Sequence, residues 1–184
     1  TANDEETGYE LWISNGTEYG TMLVKDINPG TSSSSPKNMI NINGSLYFAA
    51  DDGTNGNELW KSNGTSYGTF MVKDIGSGIA SSSPSYLINL NGSLFFLAND
   101  GINGSELWKS NGTGPGTLLV KDINPGTGSG FSSTNYLIDF NGTLYFTANN
   151  GVNGSELWKS NGTSDGTVMV KDIYPGSNSG GPAY

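Results

Sequence analysis

The sequence predicts an all-β repeat protein, and three observations carry that prediction. Glu-Leu-Trp recurs at Glu10-Leu11-Trp12, Glu58-Leu59-Trp60, Glu106-Leu107-Trp108 and Glu156-Leu157-Trp158, spaced 48, 48 and 50 residues apart. A period of this length marks one supersecondary unit, whose apolar face is covered only by stacking on its neighbours. Between the copies, short β-rich runs alternate with Asn-Gly and other Gly-rich turns, and glycine returns too often for a helix to start. Each unit therefore reads as four short antiparallel strands, a to d, in the manner of a β-propeller blade. An open stack or fibre of the same units is the alternative. The chain 1–184 is read as a single repeat domain of four units of about 48 residues.

Residues 86–123 hold one whole unit. Strand a is the apolar run Tyr86–Leu90, and strand b is Ser93–Ala98. Asn91-Gly92 joins them, the strongest short hairpin signal, because both central residues of a type I′ turn need positive φ. A second loop, 99–104, leads into strand c, Ser105–Lys109, and the Gly-rich turn 110–116 leads into strand d, Thr117–Ile123. A Gly/Ser/Pro linker from Asn124 towards Asn135 carries the chain to the next unit.

Strand b shows what a unit buries. Leu46, Leu94 and Leu144, then Phe48, Phe96 and Phe146, then Ala50, Ala98 and Ala148 share one face, while Tyr47, Phe95 and Tyr145 lie on the other. Both faces are apolar, as expected of a strand packed between sheets. Strand d is read with Val24, Val72, Val120 and Val170 on one face and Ile27, Ile75, Ile123 and Ile173 on the other. The Lys-Asp pairs at 25–26, 73–74, 121–122 and 171–172 are then expected to point to opposite faces, each towards a neighbouring strand or unit.

The ends of the series carry a further expectation. Thr1-Ala2-Asn3-Asp4 matches Thr147-Ala148-Asn149-Asn150 at the end of strand b, and Pro182-Ala183-Tyr184 matches Pro84-Ser85-Tyr86 before strand a. That leaves four c–d pairs with three a–b hairpins, so the first unit lacks its hairpin. Unpaired edges and half-covered apolar faces favour pairing with another chain. An assembly edge is expected at Glu10, Trp12, Val24 and Ile27, covered by self-association or by neighbouring repeats.

Composition narrows the function classes. Eight lysines and no arginine stand against 17 acids, giving a net charge of -9, which argues against a nucleic-acid partner. No apolar run approaches the roughly 20 residues of a membrane-spanning helix. Without histidine or cysteine, neither a Ser-His-Asp nor a Cys-His arrangement can be built. Paired carboxylates hydrolyse glycosides in other proteins, but here the acids recur with the repeat, apart from Glu5-Glu6. The chain is not read as an enzyme, and no cofactor is called for, with calcium the one ion considered.

The run Glu106-Leu-Trp-Lys-Ser-Asn-Gly-Thr113, with Gly116–Ile123 after it and Ala98–Gly104 before it, resembles the bacterial repeats named for a Glu-Leu-Trp-x-x-Asp-Gly-Thr signature. The resemblance covers essentially the whole chain in four copies. It implies a secreted or surface location and a repeat architecture, but no reaction. The chain departs from the signature at its Asp, which is Asn15, Asn63, Asn111 and Asn161 here.

That departure creates four Asn-Gly-Thr acceptors for N-glycosylation, and Asn43, Asn91, Asn103, Asn141 and Asn153 head further Asn-x-Ser/Thr triplets. The competing reading is that Asn-Gly simply makes the turns. The b–c loops place Asp52 before Glu58 and Asp100 before Glu106 among glycines, an oxygen-rich wrap of the kind calcium needs. The alternative has Asp capping the turn and Glu held by backbone amides or a lysine. The four tryptophans serve either as sugar platforms or as packing between units. The expected function is an extracellular or cell-surface structural protein whose units assemble into an array or filament with a glycan coat. A lectin-like carbohydrate-binding propeller is the alternative.

Overall fold

Fifteen short strands, joined by turns rich in glycine with positive φ, make up the regular structure among the described residues. The structure is a computed structural model that describes residues 1–131 and 136–180. Among these residues every regular element is a strand, and no helix is long and apolar enough to cross a membrane. Pro182, Ala183 and Tyr184, matched above to the start of strand a, lie outside the described residues, as does the end of the linker at Asn135.

The strands form four antiparallel sheets. The first has three strands, β1 (Ala2–Asn3), β2 (Tyr9–Ile13) and β3 (Met22–Lys25). The second is β4 (Lys37–Ile42), β5 (Ser45–Asp51), β6 (Asn57–Ser62) and β7 (Phe70–Lys73). The third is β8 (Ser85–Leu90), β9 (Ser93–Asn99), β10 (Ser105–Ser110) and β11 (Leu118–Lys121). The fourth is β12 (Ile138–Phe140), β13 (Thr143–Asn149), β14 (Ser155–Ser160) and β15 (Val168–Lys171). Strands follow one another in chain order within each sheet, so every connection is a local turn and each unit has the form of a blade. The chain divides into two compact units, Thr1–Pro84 and Ser85–Tyr184, where the sequence suggested one repeat domain.

The a–b turns have the geometry their sequence dictates. Asn91 and Gly92 have φ of 52° and 84°, and the pairs Asn43-Gly44 and Asn141-Gly142 do the same, as a type I′ turn demands. The pairing of Phe96 with Trp108, and of Phe146 with Trp158, sets the b–c register. Between c and d the register shifts by one residue, at Leu107/Trp108 and at the equivalent place in each sheet.

This bulge, together with the early end of strand d at Lys25, corrects the alternation expected there. In the first unit Leu11, Val24 and Ile27 pack as one cluster with Phe48, Ala50 and Trp60 of the second sheet. In the second unit Leu107, Val120, Ile123 and Phe131 pack with Leu144, Phe146, Ala148 and Trp158. Val and Ile thus pack on the same side in the first and third repeats, because Ile27 and Ile123 follow the strand rather than continue it. Phe48 and Phe96 are fully buried, and each contributes about 1.5–3 kcal/mol through burial.

Candidate functional site

The four Glu residues of the repeat are fully buried. Each is the second residue of strand c and turns its carboxylate onto the linker that follows strand d. Glu58 Oε2 accepts from the Ile75 amide at 2.9 Å and the Ser82 hydroxyl at 2.6 Å, and Oε1 from the Gly76 and Ser82 amides at 3.1 and 2.9 Å. Glu10 repeats this with Ile27, Asn28 and Ser34. Glu106 takes the Ile123, Asn124 and Gly130 amides but has no hydroxyl donor, because Gly130 stands where Ser34 and Ser82 stand. Glu156 takes Ile173 and Gly180. Burial raises the carboxyl of Glu58, against the hydrogen bonds that oppose it. Burial pushes Glu106 up to about 7, with Asp122 adding a smaller like-charge push.

Asp52 and Asp100 cap their own loops. Asp52 Oδ1 accepts from the Thr54 and Asn55 amides, and Oδ2 from Asn55 Nδ2 at 2.8 Å. Asp100 does the same with Ile102 and Asn103. Desolvation opposes ionisation of both, but these hydrogen bonds outweigh it and hold both carboxyls below the usual value. The calcium candidates Asp52, Glu58, Asp100 and Glu106 therefore aim their oxygens at N–H donors. Among the described residues no three His, Cys, Asp or Glu side chains are grouped to hold a metal ion.

The turn asparagines fall into three sets. Asn15, Asn63, Asn111 and Asn161 are exposed, and each Oδ1 accepts from the amide and hydroxyl of the Thr two residues on. Asn43, Asn91 and Asn141 are exposed at the a–b turns. Asn103 and Asn153 are half-buried, with their amide nitrogens committed to Asp100 and Asp172. Trp60, Trp108 and Trp158 are buried and offer no open ring face, whereas Trp12 is only half-buried.

Of the expected assembly edge, Glu10, Val24 and Ile27 are covered from within the chain: Glu10 by its linker, the other two by the second sheet. The uncovered parts of the first sheet lie elsewhere. β1 pairs only with Tyr9 and Glu10, so Leu11–Ile13 has no strand on that side, whereas Leu59–Ser62 is paired with Leu46–Ala49. A groove of about 240 Å³ runs there between Trp12, Ile13, Leu46 and Gly64. Thr21 is exposed although Thr69, Thr117 and Thr167 are fully buried.

The fourth sheet shows the converse. Phe140 is 64% exposed, against 4% for Ile42 and Leu90 at the same repeat position. Val170 is 46% exposed, against 7% for Val24 and Val72, and Ile173 is likewise exposed where Ile27, Ile75 and Ile123 are buried. The Val and Ile positions are those that the first and third sheets press onto the sheet that follows them within each unit, and Leu90 of the third sheet joins them. A lysine accompanies them. Lys25 Nζ donates to the Thr69 carbonyl at 2.8 Å, Lys121 to Thr167 at 2.8 Å and Ser164 at 3.3 Å, and Lys109 to Gly162 at 2.8 Å. On the fourth sheet the equivalents Lys171 and Lys159 are exposed.

Sequence reasoning missed the exposure of Phe140, Ile173, Lys171 and Thr21, because repeat equivalence alone makes the first and last copies look like the others. No family model matches the chain, and neither a curated protein nor a solved structure does.

Proposed function

We propose that this chain is an extracellular structural repeat protein whose units assemble into an array or filament. The observation that supports it is that Phe140, Val170 and Ile173 are exposed on the fourth sheet, while their counterparts Ile42 and Leu90, Val24, Val72 and Val120, and Ile27, Ile75 and Ile123 are buried. Large apolar side chains left exposed in this way mark a contact surface, since leaving them in water forgoes the hydrophobic gain that holds the other sheets together. The exposed side chains of Asn15, Asn63, Asn111 and Asn161 supply glycan positions. The resemblance to bacterial surface repeats supports the location. The lectin reading is weaker, because three of the four tryptophans are buried in packing. Sedimentation of the 184-residue chain over a concentration series tests the proposal: mass rising with concentration is expected, and a monomer throughout would overturn it.

A further inference from the structure

We infer that two copies of this chain join head to tail, the fourth sheet of one seating on the first sheet of the next, with Lys171 bound to the Thr21 carbonyl and the Glu18 carboxylate of that next copy. This rests on the assembly reading above and names its surfaces and its polarity.

The interface repeats one that the chain already makes twice. The first sheet seats Leu11, Val24 and Ile27 on the second, and the third seats Leu107, Val120 and Ile123 on the fourth. The fourth sheet carries Leu157, Val170 and Ile173 in the same places, with Val170 and Ile173 exposed. The surface that receives such a face includes the strand-c tryptophan, the d-strand residue before Val and the carbonyl of a buried Thr, as Trp60, Met71 and Thr69 show. In the first sheet these are Trp12, Leu23 and Thr21, which are half-buried, half-buried and exposed. Both halves of the contact are therefore present and uncovered.

Charge selects a second copy as the occupant. Lys121 reaches not only Thr167 but also the carbonyl of Ser164 in the turn before it. The residue at that turn position is Ser66, Gly114 or Ser164 in three repeats, and Glu18 in the first alone. The acid thus stands on the one receiving surface that is uncovered, where an incoming Lys171 places its ammonium. Lys159 is aligned in the same way with the Gly16 carbonyl, as Lys109 is with Gly162. Because donor and receiver are different surfaces, the contact is heterologous, and it propagates into a filament or closes as a ring.

Charge reversal at two exposed positions tests this without disturbing a core. Glu18→Lys and Lys171→Glu each place like charges together and are expected to weaken association about tenfold, and the double variant to recover most of the loss. Val170→Asp blocks the fourth-sheet face. Mixed with Glu18→Lys, whose receiving surface is weakened, it should shift the population towards discrete pairs of copies at the expense of longer assemblies. Association undiminished by Val170→Asp and by both reversals would overturn this interface while leaving the assembly reading standing. A wild-type chain that stays monomeric to millimolar concentration would overturn both.

Discussion

At the scale of the residue, the buried glutamates hold each repeat closed, and their removal has a calculable cost. Glu58→Ala leaves the Ile75, Gly76 and Ser82 amides without their acceptor in a site that is fully buried. A loss of about 3 kcal/mol or more is expected, read as a lower denaturant midpoint. Glu106, raised by burial like Glu58, carries a pH dependence of its own. Its folded value is raised to about 7 from an ordinary 4.5, so its contribution is full below the unfolded value and is lost as pH rises through about 7. The melting temperature should therefore fall between pH 5 and pH 8 by this group, roughly the interval between its two values. Glu106→Gln should flatten that slope, and an unchanged slope would assign it to another group. The sequence marked these acids as recurrent and left amide capture open beside calcium. It could not decide, because the donors are backbone amides 17–24 residues further on, which no side-chain pattern reveals. Glycan occupancy separates the asparagines in the same way. In a secretory host the exposed Asn15, Asn63, Asn111 and Asn161 should be modified, and Asn103 and Asn153, whose amide nitrogens are engaged, should stay bare. Glycopeptide mass spectrometry reads both outcomes.

At the scale of the element, strands and turns were legible wherever the signal is local. Asn-Gly demands two positive φ values in succession, and the a–b turns have them. Strand d was read less well, since its bulge and its end at Lys25 depend on pairing with strand c and on where the linker turns. Two glycines separate conformational strain from close approach. Gly44 has φ of 80° and open space around it, so Gly44→Ala should cost about 1–2 kcal/mol from the left-handed backbone alone. Gly104 has φ of 69°, and a Cβ there would lie 2.3 Å from the Gly128 carbonyl oxygen of its own linker. Gly104→Ala must move backbone and should cost clearly more. Equal losses from the two, by chemical denaturation, would mean that the linker gives way freely and that the close b–c loop and linker contact is not a constraint.

At the scale of the whole molecule, the repeat made the fold readable and hid the contact surface. Val24 and Val170 both head a Val-Lys-Asp-Ile run at the same repeat position, yet one is buried under a covering sheet and the other is exposed. The expectation of an assembly edge at Glu10, Val24 and Ile27 named residues that the second sheet and the linker already cover, since strand order alone does not say which face of the first sheet turns inward. Net charge governs how readily the exposed faces meet. Each copy carries -9, so copies repel at long range, while the inferred Glu18–Lys171 pair attracts only at contact. Screening at 0.15 M shortens the range of interaction to about 8 Å, against about 30 Å at 0.01 M, and removes more repulsion than it costs one exposed pair. Association of the wild-type chain should therefore strengthen as salt rises over this range. Lys171→Glu adds two further negative charges and should make the dependence steeper, as measured by sedimentation at matched protein concentration. Weakening with salt instead would show that attraction between unlike charges, rather than apolar contact at Phe140, Val170 and Ile173, holds the copies together.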